Sequence, residues 1–400
     1  MSTNQANVII MGGSLGGLTA GLFLRELGYR VTIYERSRIL LAGRGAGIVL
    51  SPMAVRYFAL HQPDTIDEMS LASPWVRYLG ADGSIVAQQD EPYRFSSYNA
   101  IYRALLDAFG TDQYHLNAMV SGFEQDEQGV TVYLADGSMK RCDLLVCADG
   151  IRSTARGLLL GEVPLDYAGY IAWRGILSEE ELSPDTFATM RDAITYHIMP
   201  QGHMLTYPIP VVDRSPDGAE PFVNWLWYRN IPPGAALDAL MTDKNGKLQE
   251  VSLGPGMVRD ENVSTLRQDA TGTFPPLLTE LILNSKQPFI QAVIDCEVPR
   301  MAFGRICILG DAAFAARPHT AAGTAKAAED AWQLAQALNT TQGDILSALQ
   351  QWQTKQLPLG RALVQRARQA GRQLQNGTWQ IGHPLPFGLY QIGDTRMPDF

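Results

Sequence analysis

The chain is short of every feature that would place it outside the ordinary globular enzymes. Cysteine is scarce. The four residues Cys142, Cys147, Cys296 and Cys307 make no C-x-x-C pair, so neither a disulfide framework nor a metal site is expected. Cys147 and Cys307 sit in the apolar runs LLVCADG and RICILGDAA, where cysteine packs as a small hydrophobe. No apolar run approaches the roughly 18 residues of a spanning helix. The first residues, MSTNQANVIIMGG, have neither a basic region nor an apolar region of leader type, so a cytoplasmic location is expected. Basic charge is also short, with 32 Lys and Arg against 41 Asp and Glu and a net charge of −9. No basic run compensates, which argues against nucleic acid and membrane as partners. With 46% hydrophobic and 18% charged residues the composition is globular, and 400 residues exceed one ordinary core, so two domains are expected.

What is present begins with a strand–turn–helix–strand unit. Asn7 to Met11 (NVIIM) reads as a parallel strand buried on both faces. The glycine cluster GGSLGG follows, then a helical pattern through Leu18, Leu22, Leu24 and Leu27 closed by Gly28, then the strand RVTIY ending at Glu35. From about Trp75 to Tyr98 and from about Tyr167 to Val293 the pattern changes to sheet, as in YIAWRGIL, AITYHIM, HMLTYPIP and FVNWLWY. Strand-then-helix character returns at RICIL and in a small-residue helix from about Gly323 to Leu338. A last helix starts near Asp344 and is kinked or ended by Pro358. The expected organisation is a discontinuous dinucleotide domain (1–74, 99–166 and 294–400) with a sheet domain inserted into it (75–98 and 167–293).

Three motifs carry the chemistry. In Gly12-Gly13-Ser14-Leu15-Gly16-Gly17, Gly12 suits the tight bend and Gly17 the close helix–strand approach of a Rossmann turn, with a pyrophosphate resting on the helix N-terminus. Ser14 replaces the usual middle glycine and can itself donate to a phosphate. Glu35, 23 positions beyond Gly12, is placed to accept from ribose hydroxyls. Arg36 does not decide between a flavin and a nicotinamide dinucleotide in this first site. The second motif, CADGIRSTAR, puts Asp149 at the carboxyl end of a strand. The third, ILGDAAFAARPHTAAG, ends another strand at Asp311 and opens a helix at Gly323, whose N-terminus favours negative charge.

In this order and at these separations the three motifs resemble the FAD-dependent aromatic hydroxylases of the para-hydroxybenzoate hydroxylase type. YAGYIAWRG, GHMLTYPIP and GDAAFAARPHTAAGTAKAAEDA resemble the hydroxypyridine-hydroxylating branch. The resemblance covers nearly the whole chain. It implies an α/β fold: a Rossmann-like FAD domain of the glutathione-reductase ββα variant, an inserted and mainly antiparallel sheet domain, and C-terminal helices. It implies non-covalent FAD, NADH or NADPH and O₂ as co-substrates, and attack of an electron-rich ring on a flavin C4a-hydroperoxide. A homodimer is compatible with it. Carried over by position, Gly12, Ser14, Leu15, Gly17, Glu35 and Arg36 would hold the ADP half of FAD, with Arg103 near the cofactor. Asp149 and Asp311 would hold the phosphate-side and ribityl portions, and Pro318, Gly323 and Thr324 would flank the ring system. Family members often carry a G-x-G pair where this chain has Gly323-Thr324-Ala325.

For a base that would activate the ring, His319 in the third motif is the first candidate and His203 the second. Tyr207 lies four residues from His203, on the same strand face. Trp173 and Tyr228 are candidate pocket walls. Three other readings share the motifs. A flavin halogenase would need W-x-W-x-I-P, whereas Ile231-Pro232 here falls two residues out of register after Trp225 and Trp227. A flavin oxidase and a non-catalytic redox-sensing flavoprotein complete the set, as do phenols or other N-heteroaromatics as substrate.

Overall fold

In the computed structural model of the chain, residues 6–42, 47–210 and 221–396 are described. The first five residues, part of the stretch read as lacking a leader, lie outside them. Two sheets organise the fold. The first runs Ala302–Phe303, Ile306–Ile308, Leu144–Cys147, Asn7–Met11, Arg30–Tyr34, Tyr114–His115. All neighbours in it are parallel except the first pair. Val8 to Met11 and Leu144 to Cys147 are fully buried: helix Leu15–Glu26 packs on this sheet, and Val130, Val132 and Leu134 join the same core. Helix Leu15–Glu26 starts directly after the glycine turn, and helix Gly323–Thr340 packs beside it. This is the α/β architecture expected from the motifs.

The second sheet has ten strands. Its path runs Ser252–Leu253, Phe289–Glu297, Asp166–Leu177, Phe222–Asn230, Gly202–Ile209, Ala193–Met199, Ser70–Leu79, Ile85–Ser97, Gly47–Val49, with Phe314–Ala315 paired to Phe289–Glu297 off the path. Only the Ala193–Met199 and Ser70–Leu79 strands run parallel. Gly47–Val49, residues 70–74, Asp166, residues 294–297 and Phe314–Ala315 also join this sheet, outside the expected 75–98 and 167–293. Gly47–Val49 is too short to announce itself by alternation, and its partner Ile85–Ser97 recruits it. A three-stranded antiparallel meander, Val120–Gln125, Val130–Leu134 and Met139–Cys142, was also not expected within the dinucleotide part.

The large sheet has two unlike faces. Ile171, Trp173, Met204, Trp225 and Ile290 pack against the helices Pro184–Met190, Asp260–Thr273 and Pro276–Asn284. Tyr170, Tyr196, Leu205, Tyr207 and Tyr228 face the other way. Side chains alternate along a strand, so Tyr170 and Trp173, three apart, cannot share a face. Trp173 is therefore core and not pocket wall, contrary to expectation. The last helix, Ile345–Gln375, is capped by Asp344, which accepts from the Ser347 amide, and it runs through Pro358 to Gln375. The lost hydrogen bond costs about 3 kcal/mol, but Leu349 and Trp352 before it and Leu363, Val364 and Leu374 after it are all buried, and that packing outweighs the cost. All four cysteines are free and buried, and burial pushes the Cys147 thiol well up. Among the described residues no helix is long and apolar enough to cross a membrane.

Trp173→Ala should lower stability by about 3–5 kcal/mol, the usual cost of emptying so large a buried site. Chemical denaturation measures it, and a loss below about 1 kcal/mol would return Trp173 to the pocket wall.

Candidate active site

The three motifs converge on the carboxyl ends of the first sheet. Gly12 adopts φ +104°, open to glycine, and a Cβ on Gly17 would overlap the Gly12 carbonyl oxygen. Helix Leu15–Glu26 can therefore start against the strand only because both residues lack a side chain. Ser14 caps that helix, with its hydroxyl 2.7 Å from the Tyr98 hydroxyl. Glu35 ends the second strand, 6% exposed. Its two oxygens accept from the Gly13 and Ser37 amides, each at 2.8 Å, which fixes the carboxylate and leaves further lone pairs for hydroxyl donors. Asp149 accepts from the Ser153 hydroxyl at 2.6 Å and the Ala155 amide at 3.1 Å, so much of its capacity holds its own turn. The buried Arg156 donates to the Ile151 carbonyl and, at 3.0 Å, to the Ala312 carbonyl, tying the second motif to the third.

Two cavities lie along these motifs. The outer one, about 260 Å³, is lined by Gly12, Glu35, Arg36 and Asp149. The inner one, about 350 Å³, lies between Asp311, Pro318, His319, Gly323 and Thr324 and the tyrosine face of the large sheet. Ser14, Tyr98, Ala148 and Gly150 line both, so the two form one channel. Its outer end offers a fixed ribose acceptor and a glycine turn on a helix N-terminus; its inner end is largely aromatic. Asp311 lines the inner cavity. It is exposed toward the cavity, and the protein crowded around it raises its carboxyl to about 6, against the pull of Lys326. The acid needs donors to settle its charge, and the hydroxyls of a ribityl chain are such donors. Helix Gly323–Thr340 begins at the cavity with an open Gly323, a favourable place for negative charge. These residues fit FAD: the outer end would hold its adenosine half and the inner end its ring system.

The inner wall is built from His203, Leu205 and Tyr207 on one strand, with Tyr228 and Tyr196 on its neighbours. His203 is 0% exposed and stacks on Tyr228 with centroids 4.6 Å apart, and both of its ring nitrogens lack a partner. Burial pushes its pKa well down. His319, 5.4 Å away between centroids, accepts or donates at Nε2 to the Tyr170 hydroxyl at 2.8 Å. Burial, helped by the Arg317 charge, lowers its pKa to about 3. Both imidazoles are therefore neutral near pH 7. The Tyr207 hydroxyl donates to the Gly47 carbonyl at 2.8 Å and pins the short edge strand over the cavity. Arg103 lies exposed on helix Tyr98–Phe109 and is not among the residues lining either cavity.

Tyr98, Arg174 and Phe387 line the cavity and Tyr170 stands behind His319, and none of the four was among the expected site residues. Tyr170 was within reach, because strand alternation opposes it to Trp173. Phe387 was not, since it arrives from an irregular segment after the last helix.

A relative from Paenarthrobacter nicotinovorans, 2,6-dihydroxypyridine 3-monooxygenase, is 36% identical over 397 residues, covering 98% of each chain. The solved structure of 2,6-dihydroxypyridine-3-hydroxylase from Arthrobacter nicotinovorans superposes with a TM-score of 0.91 at 35% identity over the full length of both chains. The chain belongs to the FAD-dependent aromatic hydroxylases. This hydroxylase also matches a family model described as FAD binding domain-like over residues 167–295. The FAD-dependent urate hydroxylase of Klebsiella pneumoniae is 26% identical, covering 90% of this chain and 88% of its own. A solved Klebsiella pneumoniae structure with FAD and uric acid reaches a TM-score of 0.74 at 25% identity, covering 93% of this chain and 90% of its own. The hydroxylase is thus an FAD-dependent monooxygenase of aromatic rings.

Two outcomes follow. Gly17→Ala should abolish FAD retention on purification, because its Cβ displaces the Gly12 carbonyl that shapes the turn. The Asp311 carboxyl, raised from 3.8 to about 6, favours the acid form in the cofactor-free protein. Its contribution to stability is present below pH 3.8 and lost as pH rises through about 6. Bound hydroxyl donors favour the carboxylate, so FAD affinity should rise with pH up to about 6 and then level off. Titrations of apoprotein with FAD read this, and Asp311→Asn should flatten the slope; a slope that persists in Asp311→Asn would assign it to another group.

Proposed function

We propose that this hydroxylase oxygenates a hydroxypyridine or a closely related N-heteroaromatic ring, with NADH or NADPH as electron donor. The observation that carries the reading is His203, a neutral, fully buried imidazole with both nitrogens unpartnered in an aromatic cavity. An unsatisfied buried polar group costs about 1–3 kcal/mol, so a ligand that pairs with it has that much to recover. A neutral imidazole offers one donor and one acceptor, which suits the mixed donor–acceptor edge of a hydroxypyridine. The similarity to two 2,6-dihydroxypyridine hydroxylases at 35–36% identity supports the same class.

In this reading Gly12, Ser14, Leu15, Gly17, Glu35 and Arg36 hold the ADP portion of FAD, Asp149 orders the phosphate-side turn, and Asp311 accepts from the ribityl hydroxyls. Pro318, Gly323 and Thr324 border the ring system. Bound FAD supplies what no side chain here can, the passage of two electrons from a nicotinamide to O₂ and delivery of one oxygen atom to the ring. The side chains orient the substrate and exclude water. Phe387 closes the inner end, carried by a segment that Arg366 holds through the Gly388 carbonyl and Arg396 through Glu91. His319, with a pKa of about 3, does not take up a proton at neutral pH. The ring is activated by its own ionised or oxo oxygen, and the imidazoles act as neutral hydrogen-bonding partners.

Nicotinamide oxidation in air should be strongly stimulated by 2,6-dihydroxypyridine, with a trihydroxylated product, and little by benzoates. Stimulation confined to phenols would overturn the assignment. His203→Ala should retain FAD, weaken substrate binding about three- to tenfold, the worth of one neutral hydrogen bond, and uncouple nicotinamide oxidation from product.

A further inference from the structure

The inner cavity holds a second imidazole whose orientation is already fixed by protein. Tyr170 and His319 come from distant parts of the chain, the large sheet and the third motif, and meet at 2.8 Å between the hydroxyl and Nε2. Both are buried, at 2% and 5% exposure. Arg317 lies over the Tyr170 ring with its guanidinium carbon 5.6 Å from the centroid, and Arg317 is itself held by the buried Asp295. A side chain on Gly371 would collide with the Tyr170 hydroxyl, so the last helix presses the pair together. Neither partner can turn away without disturbing packing.

We propose that Tyr170 is a positioning residue that sets the tautomer of His319, so that Nδ1 carries the proton and the cavity receives a fixed hydrogen-bond donor. Between a neutral phenol and a neutral imidazole the phenol is the stronger acid and the imidazole the better acceptor. The bond therefore runs from the Tyr170 hydroxyl to Nε2. Burial keeps both groups neutral, holding the phenol up and the imidazole down. With Nε2 engaged, the proton of the neutral ring resides on Nδ1. His319 lines the cavity, and Nδ1 is its remaining polar atom. A donor that cannot become an acceptor selects a substrate presenting an acceptor at that point: a ring oxo group or an ionised hydroxyl. This rests on the hydroxypyridine reading for its substrate half, and on the Tyr170–His319 contact and the burial of both groups for its tautomer half.

The test uses the FAD-loaded enzyme labelled with ¹⁵N-histidine. The chain has six histidines, and the His319 signals are those lost in His319→Gln. At pH 7 the wild type should show His319 protonated at Nδ1 and bare at Nε2. Tyr170→Phe should show a mixture of the two forms, with its FAD content unchanged. A wild-type ring protonated at Nε2 overturns the proposal. In parallel, 2,6-dihydroxypyridine is titrated against the flavin absorption band. Tyr170→Phe should bind it about five- to tenfold more weakly, as expected for one misdirected hydrogen bond. Equal affinity in the two proteins overturns the selection of an acceptor oxygen. If the wild type binds no 2,6-dihydroxypyridine, the hydroxypyridine reading fails, and the nitrogen spectra still decide the tautomer.

Discussion

The Asp330 side chain is the contact on which the site depends. It is 0% exposed, accepts from the Gly310 amide at 3.0 Å, and pairs with the ammonium group of Lys326 one turn earlier on the same helix. The Asp330 carbonyl accepts from the Trp352 indole of the last helix at 2.9 Å. One residue thus joins the turn that presents Asp311, the helix that opens at Gly323, and the C-terminal helix that presses on Tyr170 and His319. A buried ion pair gains little net stability, because desolvating the two charges offsets most of their attraction. Its worth here is positional. Taking away either partner would leave a buried charge alone, at a cost of about 3–5 kcal/mol, which makes any other arrangement of the turn unfavourable.

The dinucleotide half was legible because its constraints are local. A bend that admits only glycine, an acid at the end of the next strand, and two strands ending in Asp-Gly and Gly-Asp are written in consecutive residues. Glu35 and Gly12 stand where that spacing implies, and Gly28 and Asp344 bound their helices as their residue types suggest. The substrate half is written across the chain. Whether Trp173 or Tyr170 lies on the cavity side of the sheet depends on the phase of one strand relative to a neighbouring layer, and aromatic composition does not carry that phase. Gly47–Val49 is a strand because Ile85–Ser97 lies beside it and the Tyr207 hydroxyl ties it down.

The third motif shows how the halves are joined. Phe314–Ala315 leaves the Gly-Asp turn and pairs with Cys296–Glu297 at the end of a large-sheet strand. Asp295, one residue back on that strand, binds Arg317 and Arg368. The loop carrying His319 is therefore anchored to both sheets, and the distance from the cofactor channel to the tyrosine wall is set by backbone pairing.

The tyrosines and histidines of that wall share one electrostatic character. Burial raises the phenols of Tyr170, Tyr196, Tyr207 and Tyr228 and lowers the imidazoles of His203 and His319, so none of these six groups changes charge near neutral pH. The expectation of a histidine base assumed an imidazole that could hold a proton, and the cavity that recruits the imidazoles also prevents it. These six neutral groups leave the charge on the ring of the substrate, where attack on oxygen needs it, and the cation that lines the same cavity is Arg174, close to Tyr207 and Tyr228. What remains for the protein to control is direction: which nitrogen carries a proton, and which oxygen of the ring it meets. An error in direction costs one hydrogen bond in binding. In catalysis it turns a different ring carbon toward the oxygen, so the buried hydrogen bonds behind the wall bear on the position hydroxylated as well as on affinity.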